Sequence, residues 1–261
     1  MKVACVQMAV ALGEPEKNFA RAGELIRAAA RQGADTVLLP ETWNVGFFPR
    51  QGLEALAAGA GDAVRSELGA LAGELGVNLI AGSVADLRDG KVYNTALVFD
   101  RRGECVASYD KTHLFTPMGE QESFTPGDHL CRFTLDGVNC GLITCYDIRF
   151  PELARTLALQ GLELLFVPAE WPVVRRLHWQ TLTRARAIEN QMFLACCNGC
   201  GTAGDTVYGG CSAIYDPWGE TLAAAEGEET VILADCDFSV VEGIRRSINV
   251  FADRRPELYH C

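Results

Sequence analysis

The segment from residue 138 to 158 constrains the fold most, because it sets a cysteine between a strand and a helix. Val138–Thr144 is a short apolar run with β-branched residues, which is typical of a strand buried in a sheet. Phe150 is followed by a proline and a glutamate, and apolar residues then recur at helical spacing. A proline beside a carboxylate is typical of the first turn of a helix. We therefore expect Cys145 to lie at the end of a buried strand, just before a helix.

A cysteine at that point suits a nucleophile, although a structural role is the simpler alternative. Backbone N–H groups beside the sulfur can bind a developing oxyanion, and a nearby helix N-terminus would favour the thiolate. The chain has 11 cysteines, however, and a free cysteine is usually a small buried hydrophobic residue. The position of Cys145 alone therefore leaves both alternatives open.

Strands and helices alternate along the chain, which predicts one α/β domain spanning residues 1–261. No repeat or Pro/Ser-rich linker divides it. The strands alternate only partly between apolar and polar residues, so we expect layered mixed sheets with helices on the outside. We expect strands at Lys2–Ala9, Asp35–Leu39, Val77–Gly82, Lys91–Asp100, Cys105–Tyr109, Asp128–Leu135, Val138–Thr144, Leu162–Pro168, Met192–Cys197 and, as a closing meander, Gly209–Tyr215, Thr221–Ala225 and Thr230–Cys236. We expect helices at Asn18–Gln32, Leu53–Leu75 with a break near Gly59–Asp62, 151–160, Trp179–Gln191 and Phe238–Arg246.

The composition argues against several kinds of partner and location. The net charge of −11 disfavours nucleic acid or an anionic membrane surface as the main partner. Lys2–Ala9 is apolar enough for a short signal peptide, but Gln7 interrupts the run, and we expect a strand there. No apolar run approaches the roughly 20 residues of a membrane span. Many unpaired cysteines without regular spacing are typical of a protein in the reducing cytoplasm.

Two further polar residues follow predicted strands in the same way as Cys145. Glu41 comes directly after Asp35–Leu39 and precedes an aromatic loop, where loss of solvent would suit a general base. Lys111 comes just after Cys105–Tyr109, among aromatic and apolar neighbours that would draw it inward as an oxyanion partner. Because sites form at the ends of strands in open α/β sheets, we expect these side chains to meet. An exposed glutamate and a solvated lysine are the simpler alternatives.

Three segments resemble the signature motifs of the nitrilase superfamily, the carbon–nitrogen hydrolases. They are Leu39-Pro40-Glu41, Tyr109-Asp110-Lys111-Thr112-His113-Leu114 and Cys145-Tyr146-Asp147-Ile148-Arg149-Phe150-Pro151-Glu152. The similarity runs from residues 6–8 to residues 255–259, and the motifs occur in the order that the family has. Later segments resemble the bacterial ω-amidase branch of that family: Pro168–Pro172, His178-Trp179, Ala185–Gln191 and Asp216–Gly219.

The resemblance implies a four-layer αββα sandwich, an α/β (α+β) fold in which two mixed sheets lie between outer helices. It implies that two copies of the chain pair through their helices as a homodimer. It also implies roles for four side chains: Cys145 as nucleophile, Glu41 as general base, Lys111 as oxyanion stabiliser and Glu120 as a second carboxylate near the lysine. We expect neither a cofactor nor a bound metal.

The expected reaction is hydrolysis of a small-molecule carboxamide to a carboxylic acid and ammonia, through a thioester on Cys145. Glu41 would take the thiol proton, while Lys111 and the backbone N–H of Tyr146 hold the oxyanion. The resemblance to ω-amidases makes the ω-amide of a 2-oxo acid, 2-oxoglutaramate or 2-oxosuccinamate, the first choice of substrate.

Such a substrate carries a carboxylate at its far end, which needs a cationic partner. Arg149 is the first candidate, because a guanidinium binds a carboxylate through two hydrogen bonds, and Arg175 and Arg176 are alternatives. Trp171 and Phe47 are candidate walls of the pocket, although large aromatic residues are more often part of a core.

Three other functions stay open at this point. N-carbamoyl compounds and deaminated glutathione are the next amide-type substrates, ahead of nitriles. A Cys–His enzyme would need His113 or His178 beside Cys145, and neither histidine lies in a protease signature. A zinc or redox site at Cys197-Asn198-Gly199-Cys200 is the third alternative, although one C-x-x-C pair is weak support for zinc.

Overall fold

Two six-stranded sheets pack face to face at the centre of the computed structural model, which describes residues 1–47, 49 and 51–259. Helices cover the outer face of each sheet, so the layers run helix, sheet, sheet, helix. Each sheet contains parallel and antiparallel strand pairs. The four-layer αββα arrangement of two mixed sheets that the sequence predicts is therefore confirmed.

The strands and helices have the following bounds. The strands are β1 Lys2–Gln7, β2 Thr36–Leu38, β3 Asn78–Arg88, β4 Lys91–Phe99, β5 Cys105–Asp110, β6 Cys131–Leu135, β7 Val138–Leu142, β8 Leu164–Ala169, β9 Phe193–Asn198, β10 Cys200–Ala203, β11 Thr206–Gly209, β12 Ala213–Tyr215, β13 Thr221–Ala224 and β14 Thr230–Asp235. The helices are α1 Pro15–Arg31, α2 Leu53–Ala57, α3 Ala60–Ala63, α4 Gly69–Leu75, α5 Pro151–Leu159, α6 Arg176–Asn190 and α7 Val240–Ser247. The first sheet has the order β14-β1-β2-β3-β4-β5, and the second has the order β13-β12-β9-β8-β7-β6.

The central strands are buried on both faces, which explains why they read as nearly continuous apolar runs. In β1, Val3 and Cys5 face the core between the two sheets, whereas Ala4 and Val6 face the helices. In β8, Phe166 lies in the core between the sheets and its neighbours face α5 and α6. Successive side chains of a strand point to opposite faces, so a doubly covered sheet needs apolar residues at every position.

The helices bury one stripe each against the sheets. α1 covers the first sheet with Ala22, Ile26 and Ala29 among its buried residues, and α5 and α6 cover the second. The predicted break near Gly59 separates α2 from α3. No helix within residues 1–47 or 51–259 is long and apolar enough to span a bilayer.

β3 is longer than predicted, because Gly82 marks a bulge rather than the end of the strand. The pairing of β3 with β4 shifts register between Ile80 and Ser83 and then continues to Arg88. Gly82 has φ +57°, and a Cβ added there would lie 1.9 Å from the carbonyl oxygen of Pro40. Only glycine permits this close approach. The bulge therefore brings the end of the β2 segment, and with it Glu41, against β3.

The predicted closing meander is wrong in two respects. Thr230–Asp235 pairs with β1 in the first sheet, from Lys2 opposite Asp235 to Gln7 opposite Thr230, and does not continue the second sheet. The hairpin formed by β10 and β11 was not expected from the sequence. Local alternation identifies a strand, but the partner of a strand depends on contacts that are distant in sequence.

Candidate active site

The four side chains predicted to act together meet at the same end of the two sheets. Glu41 follows β2, Lys111 follows β5, Cys145 follows β7, and Glu120 lies in a short helical turn of the loop after β5. The side chains of Glu41, Lys111 and Glu120 are fully buried, and Cys145 is 6% exposed. The strand-end positions read from the sequence therefore converge on one dry cleft.

Lys111 is paired with two carboxylates. Its Nζ atom lies 2.8 Å from Glu41 Oε1 and 2.8 Å from Glu120 Oε2. Burial alone would lower the pKa of Lys111, but the negative charges of Glu41 and Glu120 outweigh it and raise the pKa. The lysine is therefore held as a cation inside the protein.

Backbone and amide groups orient both carboxylates. Glu41 accepts hydrogen bonds from Asn94 Nδ2 at 2.9 Å and from the backbone N–H of Glu170 at 2.9 Å. Glu120 accepts one from the backbone N–H of Phe115 at 2.5 Å. Burial raises the pKa of Glu120, with the charge of Glu41 acting in the same direction and Lys111 opposing it. Neither carboxylate is free to turn away from the lysine.

Cys145 sits on a sharp turn and is a thiol at rest. It has φ +49°, in the left-handed region, and begins a 3₁₀ turn that spans Cys145–Arg149 and leads into α5. The expectation that a helix start would favour the thiolate is wrong. Burial, followed by the charge of Glu41 and a hydrogen bond to it, raises the pKa of Cys145 well above its ordinary value. The sulfur needs a base, and the Glu41 carboxylate is beside it.

Asp147 fixes this turn, and no role for it was predicted from the sequence. Its carboxylate accepts hydrogen bonds from the backbone N–H of Thr144 at 2.9 Å and from the Tyr109 hydroxyl at 2.7 Å. It also accepts them from the Thr112 hydroxyl at 3.1 Å and the His113 N–H at 3.0 Å. These contacts tie the turn that carries the cysteine to the segment on either side of Lys111. The sequence shows only an aspartate two residues after the cysteine, and its full burial became apparent in the structure.

The predicted substrate-binding residues line one pocket next to the cysteine. Phe47, Tyr146, Arg149 and Trp171 form part of its wall together with Cys145. The wall also contains residues that were not predicted from the sequence, namely Phe115, Met118, Glu170, Pro172, Thr206 and Tyr208. The pocket holds about 360 Å³ of empty space. That space includes open solvent at the mouth, and the centre of a water-sized sphere can occupy only about 20 Å³ of it, so the pocket is narrow.

Two arginines enter this pocket without an acidic partner. Arg149 lies over the Trp171 ring at 4.7 Å, and Arg175 lies over the Phe115 ring at 5.0 Å. Within the described part of the chain, neither guanidinium forms a salt bridge. Burial and the nearby charge of Arg175 lower the pKa of Arg149. Arg176, the other alternative, begins α6 and is not a wall residue. The pocket therefore offers two cationic groups to an anion.

The histidines proposed for a Cys–His enzyme are engaged elsewhere. His113 Nδ1 lies 2.8 Å from Asp147 Oδ1, and the ring stacks on Phe150 with centroids 3.7 Å apart. His178 Nδ1 lies 3.2 Å from Arg149 Nη2. Both rings are held by these partners, whereas Glu41 is the basic group at the sulfur of Cys145.

The two cysteines proposed for zinc lie in different strands. Cys197, in β9, donates a hydrogen bond to the carbonyl oxygen of Val6 at 3.1 Å, whereas Cys200 begins β10 and pairs with Gly209. Among residues 1–47, 49 and 51–259, no group of three or more His, Cys, Asp or Glu side chains could hold a metal ion. Core packing accounts for these cysteines.

Comparison with known sequences points to one family. The model of the carbon–nitrogen hydrolase family matches residues 2–246. A 2-oxoglutaramate amidase from Bacillus subtilis is 40% identical over 257 residues, which is 98% of each chain. The human ω-amidase is 36% identical over 251 residues, or 93% of this chain and 91% of the human one.

Solved structures agree with the sequence relatives. A carbon–nitrogen hydrolase from Helicobacter pylori superposes with a TM-score of 0.93 at 26% identity, over 99% of this chain and 96% of the other. An amidase from Nesterenkonia sp. AN1 superposes with a TM-score of 0.87 at 30% identity, over 99% of this chain and 98% of the amidase. That structure is of a mutant in which acrylamide has undergone Michael addition at the active-site cysteine. The chain described here belongs to the carbon–nitrogen hydrolases of the nitrilase superfamily, in their ω-amidase-like branch, and is an amidase with an active-site cysteine.

Proposed function

We propose that this amidase hydrolyses the ω-amide of a short 2-oxo acid, 2-oxoglutaramate or 2-oxosuccinamate, to the dicarboxylic acid and ammonia. The observation that carries the proposal is the pair of arginines, Arg149 and Arg175, in the pocket that contains Cys145. An anionic group at the far end of the substrate would neutralise them while the amide meets the cysteine. The 40% identity to the 2-oxoglutaramate amidase of Bacillus subtilis supports the same substrate.

In the proposed first half-reaction, Cys145 is the nucleophile and Glu41 is the general base. Glu41 takes the thiol proton, and the sulfur attacks the carbon of the amide. Lys111 and the backbone N–H of Tyr146 stabilise the negative charge that develops on the carbonyl oxygen. Glu41 then returns the proton to the nitrogen, the C–N bond breaks, ammonia leaves, and a thioester remains on the sulfur.

In the second half-reaction, the same groups activate a water molecule that attacks the thioester. Glu41 takes a proton from water as the oxygen attacks the thioester carbon. The C–S bond breaks, the proton returns to the sulfur, and the acid leaves. Two moderate barriers thus replace one high barrier. Glu120 assists indirectly, because its contact with Lys111 at 2.8 Å holds the ammonium group in place.

The far end of the pocket selects the acid portion of the substrate. A guanidinium group binds a carboxylate through two parallel hydrogen bonds, and Arg149 is held for this on the face of Trp171. Arg175 lies close enough to affect Arg149 electrostatically and would share the same carboxylate. Phe47 and Trp171 form the apolar walls along the short carbon chain.

The test is ammonia release from a panel of amides, with kcat and KM for each. The panel contains 2-oxoglutaramate, 2-oxosuccinamate, an N-carbamoyl amino acid, deaminated glutathione and the neutral propionamide. We expect the highest kcat/KM for the two 2-oxo acid amides. A higher value for the carbamoyl compound or for deaminated glutathione would replace the proposed substrate with that alternative.

Variants of Arg149 test how the acid is recognised. Arg149→Lys and Arg149→Gln should raise KM for 2-oxoglutaramate by about tenfold or more, since Lys loses the two parallel hydrogen bonds and Gln also loses the charge. KM for propionamide should hardly change. Arg184→Gln is the matched control, because Arg184 also lies over an aromatic ring, that of Tyr215 at 5.1 Å, but outside the pocket. An unchanged KM for 2-oxoglutaramate in both Arg149 variants would remove this arginine from the proposal.

We further propose that the chain works as one catalytic domain, in a homodimer, in the cytoplasm. A single core lies between the two sheets, and β14 returns from the end of the chain to pair with β1. This arrangement supports one domain. The ten cysteines within the described residues are all unpaired, which is consistent with a reducing compartment.

A further inference from the structure

Glu170 is a second buried carboxyl group in the pocket that the proposed mechanism does not use. It follows β8 directly and lines the pocket together with Cys145. The residue is 2% exposed, and both carboxyl oxygens are buried. Its backbone N–H already serves the site by donating to Glu41 at 2.9 Å. The side chain is therefore close to the reacting groups but has no assigned task.

The carboxyl group lacks a strong partner. Neither oxygen has a well-formed hydrogen bond within the described residues. The backbone N–H of Phe47 and the hydroxyl of Thr42 act on it, but they lower its pKa less than burial and the charge of Glu41 raise it. The cation of the site, Lys111, is already shared by Glu41 and Glu120.

Burial, followed by the charge of Glu41, raises the pKa of Glu170 and so favours the neutral form of its carboxyl group. Among the described residues, the titratable groups that interact with it electrostatically include Glu41, Tyr208 and Cys200, none of which is a cation. Arg149 and Arg175 line the same pocket but form no salt bridge with it. Gly199 leaves room for the side chain, since a Cβ added there would lie 3.3 Å from Glu170 Cγ. A buried neutral acid offers a carbonyl oxygen as acceptor without adding a second negative charge beside Glu41.

We propose that Glu170 is a substrate-binding residue whose carboxyl C=O accepts a hydrogen bond from the amide nitrogen of the substrate. This inference rests on the amidase site described above, and it adds a residue that selects amides by their N–H groups. The amide carbonyl oxygen goes to Lys111 and the backbone of Tyr146, so the nitrogen is the part of the amide that still needs a partner. An ester presents no N–H group at this position and gains nothing from Glu170.

The test compares Glu170→Gln with Glu170→Met. Gln keeps a neutral carbonyl oxygen in the same shape, whereas Met fills the space without a hydrogen-bonding group. Both variants are assayed on the amide that the wild-type enzyme hydrolyses best in the panel above and on the methyl ester of the same acid. We expect Glu170→Gln to retain kcat/KM within about threefold. Glu170→Met should lose about tenfold or more on the amide and little on the ester.

Each other outcome overturns the inference. Equal losses of kcat/KM in Glu170→Gln and Glu170→Met would mean that the acid group itself is needed. Equal losses of kcat/KM on the amide and on the ester in Glu170→Met would mean that the side chain has a general packing role. Full activity of Glu170→Met on the amide would mean that no contact exists. Glu152→Gln, at an exposed position of α5, is the control for losses during purification and assay. Thermal melts check that each variant folds. Because the amide is chosen by wild-type turnover, a wrong assignment of the 2-oxo acid substrate leaves this test intact.

Discussion

At the scale of single residues, the site depends on groups that are buried in protonation states that water would not favour. Cys145 is held as a thiol by burial and by the charge of Glu41, which raise its pKa. Lys111 is kept as a cation because the two carboxylates raise its pKa despite burial. One proton therefore has a short path from sulfur to carboxylate when the substrate arrives.

Replacing Cys145 with alanine should abolish turnover. The variant lacks the sulfur that forms the thioester, so neither ammonia release nor a mass shift of the protein on mixing with substrate should be detected. Cys211→Ala is the matched control, since Cys211 is also buried and also has a positive φ, +56°. It should keep near wild-type turnover. Substantial ammonia release by Cys145→Ala would contradict the proposed nucleophile.

The buried acid at Glu170 should make stability depend on pH. Burial, followed by the charge of Glu41, raises the pKa of Glu170, so the folded chain keeps this proton to a higher pH than the unfolded chain. Its contribution to stability is therefore complete below about pH 4, the unfolded value, and is lost as pH rises through the raised pKa. Glu170→Gln should raise Tm at pH 8, and the gain should shrink towards pH 4. A gain in Tm that does not change with pH would contradict a protonated Glu170 in the folded chain.

At the scale of structural elements, a short turn sets the position of the Cys145 side chain. Cys145–Arg149 is a 3₁₀ turn that begins with a positive φ, a conformation that costs free energy unless the surroundings enforce it. Asp147 enforces it through contacts with the segment that carries Lys111. Arg186 contributes from α6 by donating to the carbonyl oxygen of Ile148 at 2.8 Å.

Asp147→Asn should lower kcat while leaving KM for the substrate nearly unchanged. The amide cannot accept all the hydrogen bonds that the carboxylate accepts, so the turn loosens and the sulfur moves relative to Lys111. We expect a loss of roughly tenfold to a hundredfold in kcat, since small misplacements of reacting groups are costly. Asp216→Asn is the control, because Asp216 also accepts backbone N–H groups in a turn, but at an exposed one. Equal effects of the two substitutions would remove Asp147 as a positioning residue.

At the scale of the whole molecule, the helices that cover the outer face of the second sheet expose apolar side chains to solvent. Leu159 on α5 is 43% exposed, and Ile188 on α6 is 47% exposed. The C-terminal segment adds Leu258, which is 59% exposed. A covering partner would remove these side chains from water, which agrees with the predicted pairing of two copies through their helices.

We predict that the purified chain is a dimer and that Leu159→Glu shifts it towards monomer. A buried glutamate at the interface would lose its hydration without a partner. Light scattering after size-exclusion chromatography, at two protein concentrations, measures the mass. Val106→Glu on β5 is the matched control, because Val106 is 42% exposed and belongs to the first sheet, not to α5 or α6. A wild-type mass of one chain, or no effect of Leu159→Glu, would contradict this interface.

The sequence by itself determined the kinds of element and which polar side chains follow buried strands, whereas Glu120 was expected only from the resemblance to the family. Buried strands read as apolar runs, and Glu41, Lys111 and Cys145 could be singled out because each directly follows one. The tertiary structure alone decided the rest. Pairing of Thr230–Asp235 with β1, the hydrogen bonds of Asp147 and the raised pKa of Glu170 all arise from contacts between residues far apart in the chain. Local patterns report which face of an element is apolar, whereas strand partners and protonation states depend on what the fold packs against that element.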